Sequence, residues 1–335
     1  MRALYFLSPG AFEWRDVADP RLTSDADAVV GPLAVARCDL YIANGVVRFK
    51  GPFAFGHEVV AEVIDAGDAA GVAPGDRVVV PFQLSCGRCA ACARGFTGSC
   101  DSFPWLASYG LGQGGRVDFG GALADLMHVA FADHMLLPLP ANLDPVVAAS
   151  ASDNIADGWR AVAPQLERMP GGTVLIVGGQ AQSVGLYAAG AAVALKAGRV
   201  LYLDDEPGNR ARAVAMGAEA EALSGRDPVE QFDIVVEAAG TAAALTFALR
   251  STAKNGWLTG VGIHFAPVPL PLTEAYYKGL IFQTGRVDSR AHLPAVLACL
   301  ACGSLDPAHV THRVATFADA ADAMTDPGPK LVFTP

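Results

Sequence analysis

From Thr173 onward the chain alternates apolar runs with helix-forming stretches: TVLIVG, VGLYAAGAAVALKA, RVLYLD, NRARAVAMG, DIVVEAAG, AAALTFALRSTA and WLTGVGI. Few folds accept such a pattern. Strands that are apolar along their whole length must be covered on both faces, and a parallel sheet achieves this because each crossover lays a helix on one face. The run LIFQTG is expected to close the sheet. Residues 169–195 carry no charge at all, but their glycines and the break of the β-branched run at Gly178 suit a buried strand, turn and helix better than a membrane span.

The first 150 residues have a different texture. Short β-rich runs (RALYFLS, VVGPLAVARC, GHEVVAEVIDAG, GDRVVVPFQ, ALADLMHVAF, MLLPLP) are divided by glycine and proline, with few helical periods. This is the signature of an antiparallel or barrel-like β domain. A chain of 335 residues exceeds what one hydrophobic core usually serves. The expected division is a β-rich domain over 1–153 and 288–335 and a parallel-sheet domain over 154–287. The closing stretch opens with a helix, RAHLPAVLACLACG, and ends in KLVFTP, read as returning to the β domain. Thirty-four acidic residues against twenty-four basic ones give a net charge of −10. That disfavours phosphate backbones and anionic lipid, so neither nucleic acid nor a membrane is an expected partner. The N-terminal MRALYFLSPG lacks the features of a cleaved leader, and a cytoplasmic location is expected.

Four of the seven cysteines fall in CGRCAACARGFTGSC, placing Cys86, Cys89, Cys92 and Cys100 within one lobe spanning about 84–102. Closely spaced thiolates can turn about a tetrahedral ion, and a longer excursion brings in the fourth, which closes the shell. The pattern predicts a structural zinc. Four free thiols packed so densely would be prone to oxidation, and the two arginines of the segment are too few for a nucleic-acid module. Cys299 and Cys302 form another C-x-x-C, in LACLACG. Inside an apolar helix that spacing turns both thiols inward, and no chemistry is assigned to them.

A second group is dispersed. RCDLYIANG carries Cys38, GHEVVAEV carries His57 and Glu58, and SASDNIADGW carries Asp153 at the expected junction of the domains. Each has an ordinary alternative: a core thiol, a satisfied histidine, a solvated glutamate, a helix N-cap. Their joint occurrence favours a metal centre. A cysteine at a strand end, then GHE, then APGDRVVV, four clustered cysteines and a glycine-rich βαβ unit, in this order, resemble the medium-chain, zinc-dependent alcohol dehydrogenases over nearly the whole chain. The resemblance implies an α/β protein with a GroES-like β-rich catalytic domain and a doubly wound Rossmann cofactor domain. It implies Cys38, His57 and Asp153 as inner zinc ligands, with Glu58 an adjacent carboxylate able to enter the shell. Two zinc ions per chain are then expected. Zinc held by a thiolate, an imidazole and a carboxylate keeps an open position, where it acidifies a hydroxyl or polarises a carbonyl.

The family usually has serine or threonine two places after the cysteine, to pass the alcohol proton outward. Here Asp39, Leu40 and Tyr41 follow, and the distance to His57 is shorter by roughly two residues, as after a local deletion. By the resemblance Asp39 would orient a zinc-bound His57, and Tyr41 would occupy the outer relay position. Asp157 stands where a threonine near the nicotinamide is common.

TVLIVGGQAQSVGLYAAG has the strand, turn and helix of a dinucleotide site, though Gln180 and Gln182 interrupt the glycine pattern. Gly178 and Gly179 form the turn and Gly185 opens the helix, whose N-terminus can face pyrophosphate. Asp204 follows at the end of RVLYLD, suited to the ribose hydroxyls of NAD, and with Asp205 and Glu206 it would repel a 2′-phosphate. The reading is an NAD-dependent, zinc-dependent oxidoreductase that passes a hydride between NAD and an alcohol/aldehyde or ketone pair. The alternative is a non-catalytic NAD- and zinc-binding sensor or scaffold of the same fold. Phe103, Trp105 and Tyr109 are candidate pocket residues for a small alcohol or carbonyl substrate. A homodimer or homotetramer is expected through an exposed last strand of the parallel sheet.

Overall fold

The computed structural model describes residues 1–38, 40–47, 49–112, 118–227 and 230–335. The chain divides into two compact units, one comprising 1–156, 288–301 and 311–335 and the other 157–287 and 302–310. The segment 302–310 groups with the second unit, where the sequence reading had continued the first. Its Leu305 packs so closely on Gly190 that a Cβ there would lie 2.6 Å from Leu305 Cδ1, and Arg212 donates to the His309 carbonyl at 2.9 Å.

The first unit is built on two sheets. A small antiparallel sheet joins β1 (Arg2–Ser8), β2 (Ala11–Asp16) and β4 (Phe53–Ala54). The larger sheet contains β3 (Ala28–Ala36), β5 (Glu58–Ala66), β6 (Arg77–Val80), β7 (Met127–Val129), β8 (Leu137–Pro138), β15 (Arg313–Thr316) and β16 (Leu331–Thr334). Between them lies an apolar core that includes Phe6, Phe53, Phe55, Tyr109 and Phe333. The register of the larger sheet positions the site. β3 runs antiparallel to both β5 and β16, with Ala36 opposite Glu58 and Val332. The end of β3 therefore meets the starts of its two neighbours. Cys38 lies just beyond one end, and His57 and Lys330 lie just before the other two.

The second unit is a six-stranded parallel sheet of β9 (Thr173–Val177), β10 (Arg199–Leu203), β11 (Glu219–Glu221), β12 (Phe232–Glu237), β13 (Thr252–Gly260) and β14 (Ile281–Thr284). Its order is β11-β10-β9-β12-β13-β14. The direction of winding reverses between β9 and β12, so a crevice opens beyond their carboxyl ends, where such sheets bind ligands. The uncharged stretch becomes β9, a turn and the helix Gln182–Ala194, and among the described residues no helix is long and apolar enough to cross a membrane. The edge strand β14 is exposed along its whole length.

Candidate metal centres and nucleotide cleft

In the first unit the dispersed residues converge. One ligand atom each from Cys38, His57 and Asp153 lies within 4.8 Å of the others. Asp153 follows the short 3-10 turn Ala149–Ser152, and that turn is fastened to the start of β5, because Ser152 Oγ accepts from Val59 N at 3.1 Å. The Asp153 carboxylate faces the Cys38 thiol, which donates to Oδ2 at 3.1 Å, and His57, whose Nε2 is 3.1 Å from the same oxygen. Phe82 stacks on the His57 ring, with centroids 4.9 Å apart, and holds its orientation. Burial pushes the Asp153 carboxyl up, but His57, Cys38 and Lys330 together bring it below its ordinary value. The three donors suit zinc, which takes thiolate, imidazole and carboxylate in one shell.

Glu58 is fully buried yet is not among these three. Its Oε1 accepts from Asn154 N at 2.8 Å, and its Oε2 from Lys330 Nζ at 2.7 Å and Ser150 Oγ at 3.3 Å. Lys330 is itself fully buried and donates to the Arg37 carbonyl at 3.1 Å. Burial pushes the Glu58 carboxyl up, and Lys330 opposes the rise. The sequence reading gave Glu58 as a carboxylate adjacent to the zinc ligands and able to enter their shell; in this structure its carboxylate pairs with a lysine 272 residues away. No local signal marks Lys330. Asn154 was also missed: its Oδ1 is 3.2 Å from Cys38 Sγ. Tyr41 sits on the short helix Leu40–Ala43, half-buried, and burial pushes its phenol up to about 12. Asp39 lies outside the described residues.

The four-cysteine lobe forms a second cluster, with the sulfurs of Cys86, Cys89, Cys92 and Cys100 all within 4.8 Å of one another. Backbone N–H groups point at them. Cys92 N and Asp101 N reach Cys89 Sγ at 3.4 Å, Arg88 N reaches Cys86 Sγ at 3.4 Å, and Cys86 N reaches Cys100 Sγ at 3.3 Å. Burial works against ionisation of Cys86, but Ser102 and the Arg88 N–H pull it down to about 6. Burial pushes Cys92 up to about 12 and raises Cys100 as well. Sulfurs this close cannot all ionise unless a cation lies among them, and the N–H donors prepare them for one. Gly87 is required by this turn: its φ is +72° and a Cβ would lie 2.6 Å from the His134 ring.

In the second unit the crevice is a cavity of about 510 Å³, with Gly178, Gly179, Asp204, Leu223, Arg226 and Phe247 among its walls. Gly179 has φ +147°, and a Cβ there would lie 2.8 Å from Ala239 Cα, so the turn admits no side chain. At Gly185 a Cβ would stand 3.1 Å from Ala238 Cβ, which brings the helix Gln182–Ala194 close onto the sheet. Such a turn, a helix N-terminus and an acid at the next strand end fit a dinucleotide. Asp205 and Glu206 are engaged elsewhere. Asp205 accepts from Leu223 N, Ser224 N and Ser224 Oγ at 3.1, 2.8 and 2.6 Å, tying the cavity wall, and Glu206 caps the helix Pro207–Ala215. Arg226, which the sequence reading missed, pairs with Glu221 at 2.8 Å.

Residues 27–141 match the family model described as the alcohol dehydrogenase GroES-like domain. A probable zinc-binding alcohol dehydrogenase of Mycobacterium tuberculosis is 30% identical over 316 residues, covering 91% of this chain and 80% of that protein. The chain belongs to the medium-chain zinc-type alcohol dehydrogenase family. A zinc-type alcohol dehydrogenase B of Aspergillus flavus is 27% identical over 90% of this chain and 72% of its own length. The solved alcohol dehydrogenase from Thermus sp. ATN1 superposes with a TM-score of 0.89 at 30% identity, covering 100% of this chain and 99% of that one. The GroES-like and Rossmann-type architecture and the oxidoreductase class follow.

Other expectations of the sequence reading meet different outcomes. Tyr109 belongs to the core, 1% exposed, with its hydroxyl on the His128 carbonyl at 3.1 Å. Trp105 is 80% exposed and, with Phe103, borders a cavity beside Cys100. Phe103 also packs edge-on against Phe119 and Phe131. Cys302 is not turned inward: the helix Ser289–Ala301 ends before it, and its thiol is exposed 3.1 Å from Ser304 Oγ. Asp157 accepts from Arg160 Nε at 2.6 Å within the second unit.

Proposed function

We propose that this member of the family is an NAD-dependent alcohol dehydrogenase with two zinc ions per chain, acting between a small alcohol and its aldehyde or ketone. The convergence of Cys38, His57 and Asp153 carries the reading. These three would hold the catalytic zinc, and Cys86, Cys89, Cys92 and Cys100 would hold a structural one. Bound at the first site, zinc supplies Lewis acidity toward an alcohol or carbonyl oxygen.

The chain's own groups do the rest. Phe82 and Asp153 fix the face and tilt of His57, so that Nε2 is the nitrogen offered. Lys330, Ser150 and the Asn154 N–H keep Glu58 beside the ligands and satisfied. Gly178 and Gly179 let the pyrophosphate approach the backbone, and Asp204 accepts a ribose hydroxyl. Tyr41 holds its proton through the physiological range, so it would act as a hydroxyl that passes the alcohol proton on, not as a free phenolate base. The exposed β14 strand, with Tyr276 and Tyr277 beside it at 81% and 79% exposure, supports pairing with a second copy, as a dimer or tetramer.

The test is metal analysis after zinc-replete expression, followed by absorbance at the NADH wavelength with primary, secondary and aromatic alcohols. Two zinc ions and NADH formation are expected. Zinc and NADH bound without turnover on any alcohol would favour the sensor reading, and one zinc or none would defeat the two-site assignment.

A further inference from the structure

Beneath the glycine turn of the second unit lies a tyrosine that the chemistry above does not use. Tyr202, in β10, is completely buried, and its hydroxyl donates to Asp204 Oδ2 at 2.8 Å. Asn209 Nδ2 donates to the same oxygen at 3.1 Å, and Glu206 N donates to Oδ1 at 2.8 Å. A carboxylate offers about four acceptor positions. Three are filled by the protein, and the open one lies on Oδ1. Tyr202 also touches the turn itself: a Cβ on Gly178 would lie 2.6 Å from its Oη and 2.6 Å from Asp204 Oδ2, and one on Gly185 would lie 3.7 Å from its Cε2. One buried ring thus contacts the turn, the start of the helix and the acid at the neighbouring strand end.

We infer that Tyr202 is a positioning residue for nucleotide recognition: with Asn209 its hydroxyl saturates Oδ2 of Asp204, the oxygen against the Gly178 turn, and so fixes the orientation in which Oδ1 is left to a single ribose hydroxyl. The inference rests on the NAD reading of this cleft. Burial and the adjacent carboxylate push the phenol well above its ordinary value, so it remains a donor throughout the working range. Losing it leaves Asp204 held by two donors and free to rotate away from the ribose.

Fluorescence titration of NADH and NADPH onto the full chain tests this with Tyr202→Phe, Asp204→Ala and the double variant. Tyr202→Phe keeps the ring under the turn, and unchanged circular dichroism checks the fold. It should weaken NADH roughly five- to tenfold, the scale of one ordinary net hydrogen bond, while NADPH changes less than about twofold because Asp204 still repels its phosphate. In the Asp204→Ala background Tyr202→Phe should add nothing. If Asp204→Ala weakens NADH but Tyr202→Phe does not, or weakens it equally in both backgrounds, Tyr202 is only a packing residue and the inference is wrong. If Asp204→Ala leaves NADH affinity unchanged, the NAD reading falls and this inference with it. Should Phe at 202 disturb the turn, Asn209→Ala removes the other Oδ2 donor without touching Gly178, and the same coupling to Asp204 is expected; additivity there overturns the proposal.

Discussion

The two candidate metal clusters of the first unit bring their ligand atoms together in opposite ways. The lobe draws four thiols from fifteen consecutive residues and orients them with its own backbone N–H groups. The other cluster takes a thiol, an imidazole and a carboxylate from Cys38, His57 and Asp153, and no short segment contains more than one of them. The lobe can be complete as soon as its turn forms. The dispersed cluster exists only after β3, β5 and the Ala149–Ser152 turn have docked, and it is braced by a buried Glu58–Lys330 pair. A closed shell of soft ligands makes a staple, whereas a shell of mixed ligands with a position to spare makes a reactive site.

Breaking the staple should have the largest effect on stability. Cys89→Ser removes one soft ligand from a closed shell and should cost roughly 5 kcal/mol or more, since structural zinc contributes folding energy outright. Thermal unfolding and zinc content would show it, and a variant that keeps both would contradict the contrast. Cys38→Ser should do the reverse: the chain stays folded and loses one zinc of two, with kcat/KM down about a thousandfold, or about 4 kcal/mol. If zinc content and turnover are unchanged, Cys38 is an ordinary core thiol.

Lys330→Met sharpens the comparison, because the lobe contains no counterpart of this pair. It leaves the Glu58 carboxylate buried without its cation, and about 3 kcal/mol of stability should be lost in urea unfolding. Glu58→Gln combined with Lys330→Met should recover part of it.

To compare the two sites by acid titration, the unit's own acid sensitivity must be separated, and Asp27 sets much of it. Its buried carboxylate accepts from Thr23 N and Oγ1, Ser24 N and Oγ, and faces His128 Nε2 at 3.0 Å. Burial works to raise this carboxyl, but the Thr23, Ser24 and His128 bonds hold it well below the carboxylate range. A depressed folded value means the stabilisation is complete above the unfolded pKa of about 4 and is lost as pH falls below it. Asp27→Asn should cost about 2 kcal/mol at pH 6, and the gap to the unaltered protein should begin to narrow below about pH 4 and still be measurable at about pH 3, because the folded carboxyl titrates lower still. The smallest effect is expected from Tyr41→Phe, a few-fold loss of turnover between about pH 7 and 9 if its protonated hydroxyl passes the alcohol proton outward. Unchanged turnover would take Tyr41 off the proton route.

What could be read directly follows the range of the interactions. The lobe was legible because spacing alone brings its sulfurs together. The parallel sheet was legible because burial on both faces leaves continuous apolar strands: β9, β10 and β12 fall on the runs that suggested them, while β13 starts at Thr252, five residues before its run and inside the stretch read as helix. β11, with the sequence EAE and two exposed positions of three, has no such pattern. The convergence of Cys38, His57 and Asp153 was suggested by family resemblance and not by local chemistry. Glu58 shows the limit. Its position beside His57 is in the sequence, but which way its carboxylate is engaged depends on a lysine brought in by β16.

The sequence by itself determined the two fold classes, the gathering of four cysteine sulfurs and the acid at the end of β10, since each depends on periodicity or on residues a few places apart. Only the tertiary structure decided that Glu58 turns to Lys330, that Tyr109 belongs to the core, and that Tyr202 and Asn209 occupy Asp204. The reason is physical. A buried polar group must find a partner wherever the fold supplies one, and for Glu58 strand register, not sequence distance, sets what lies within 3 Å.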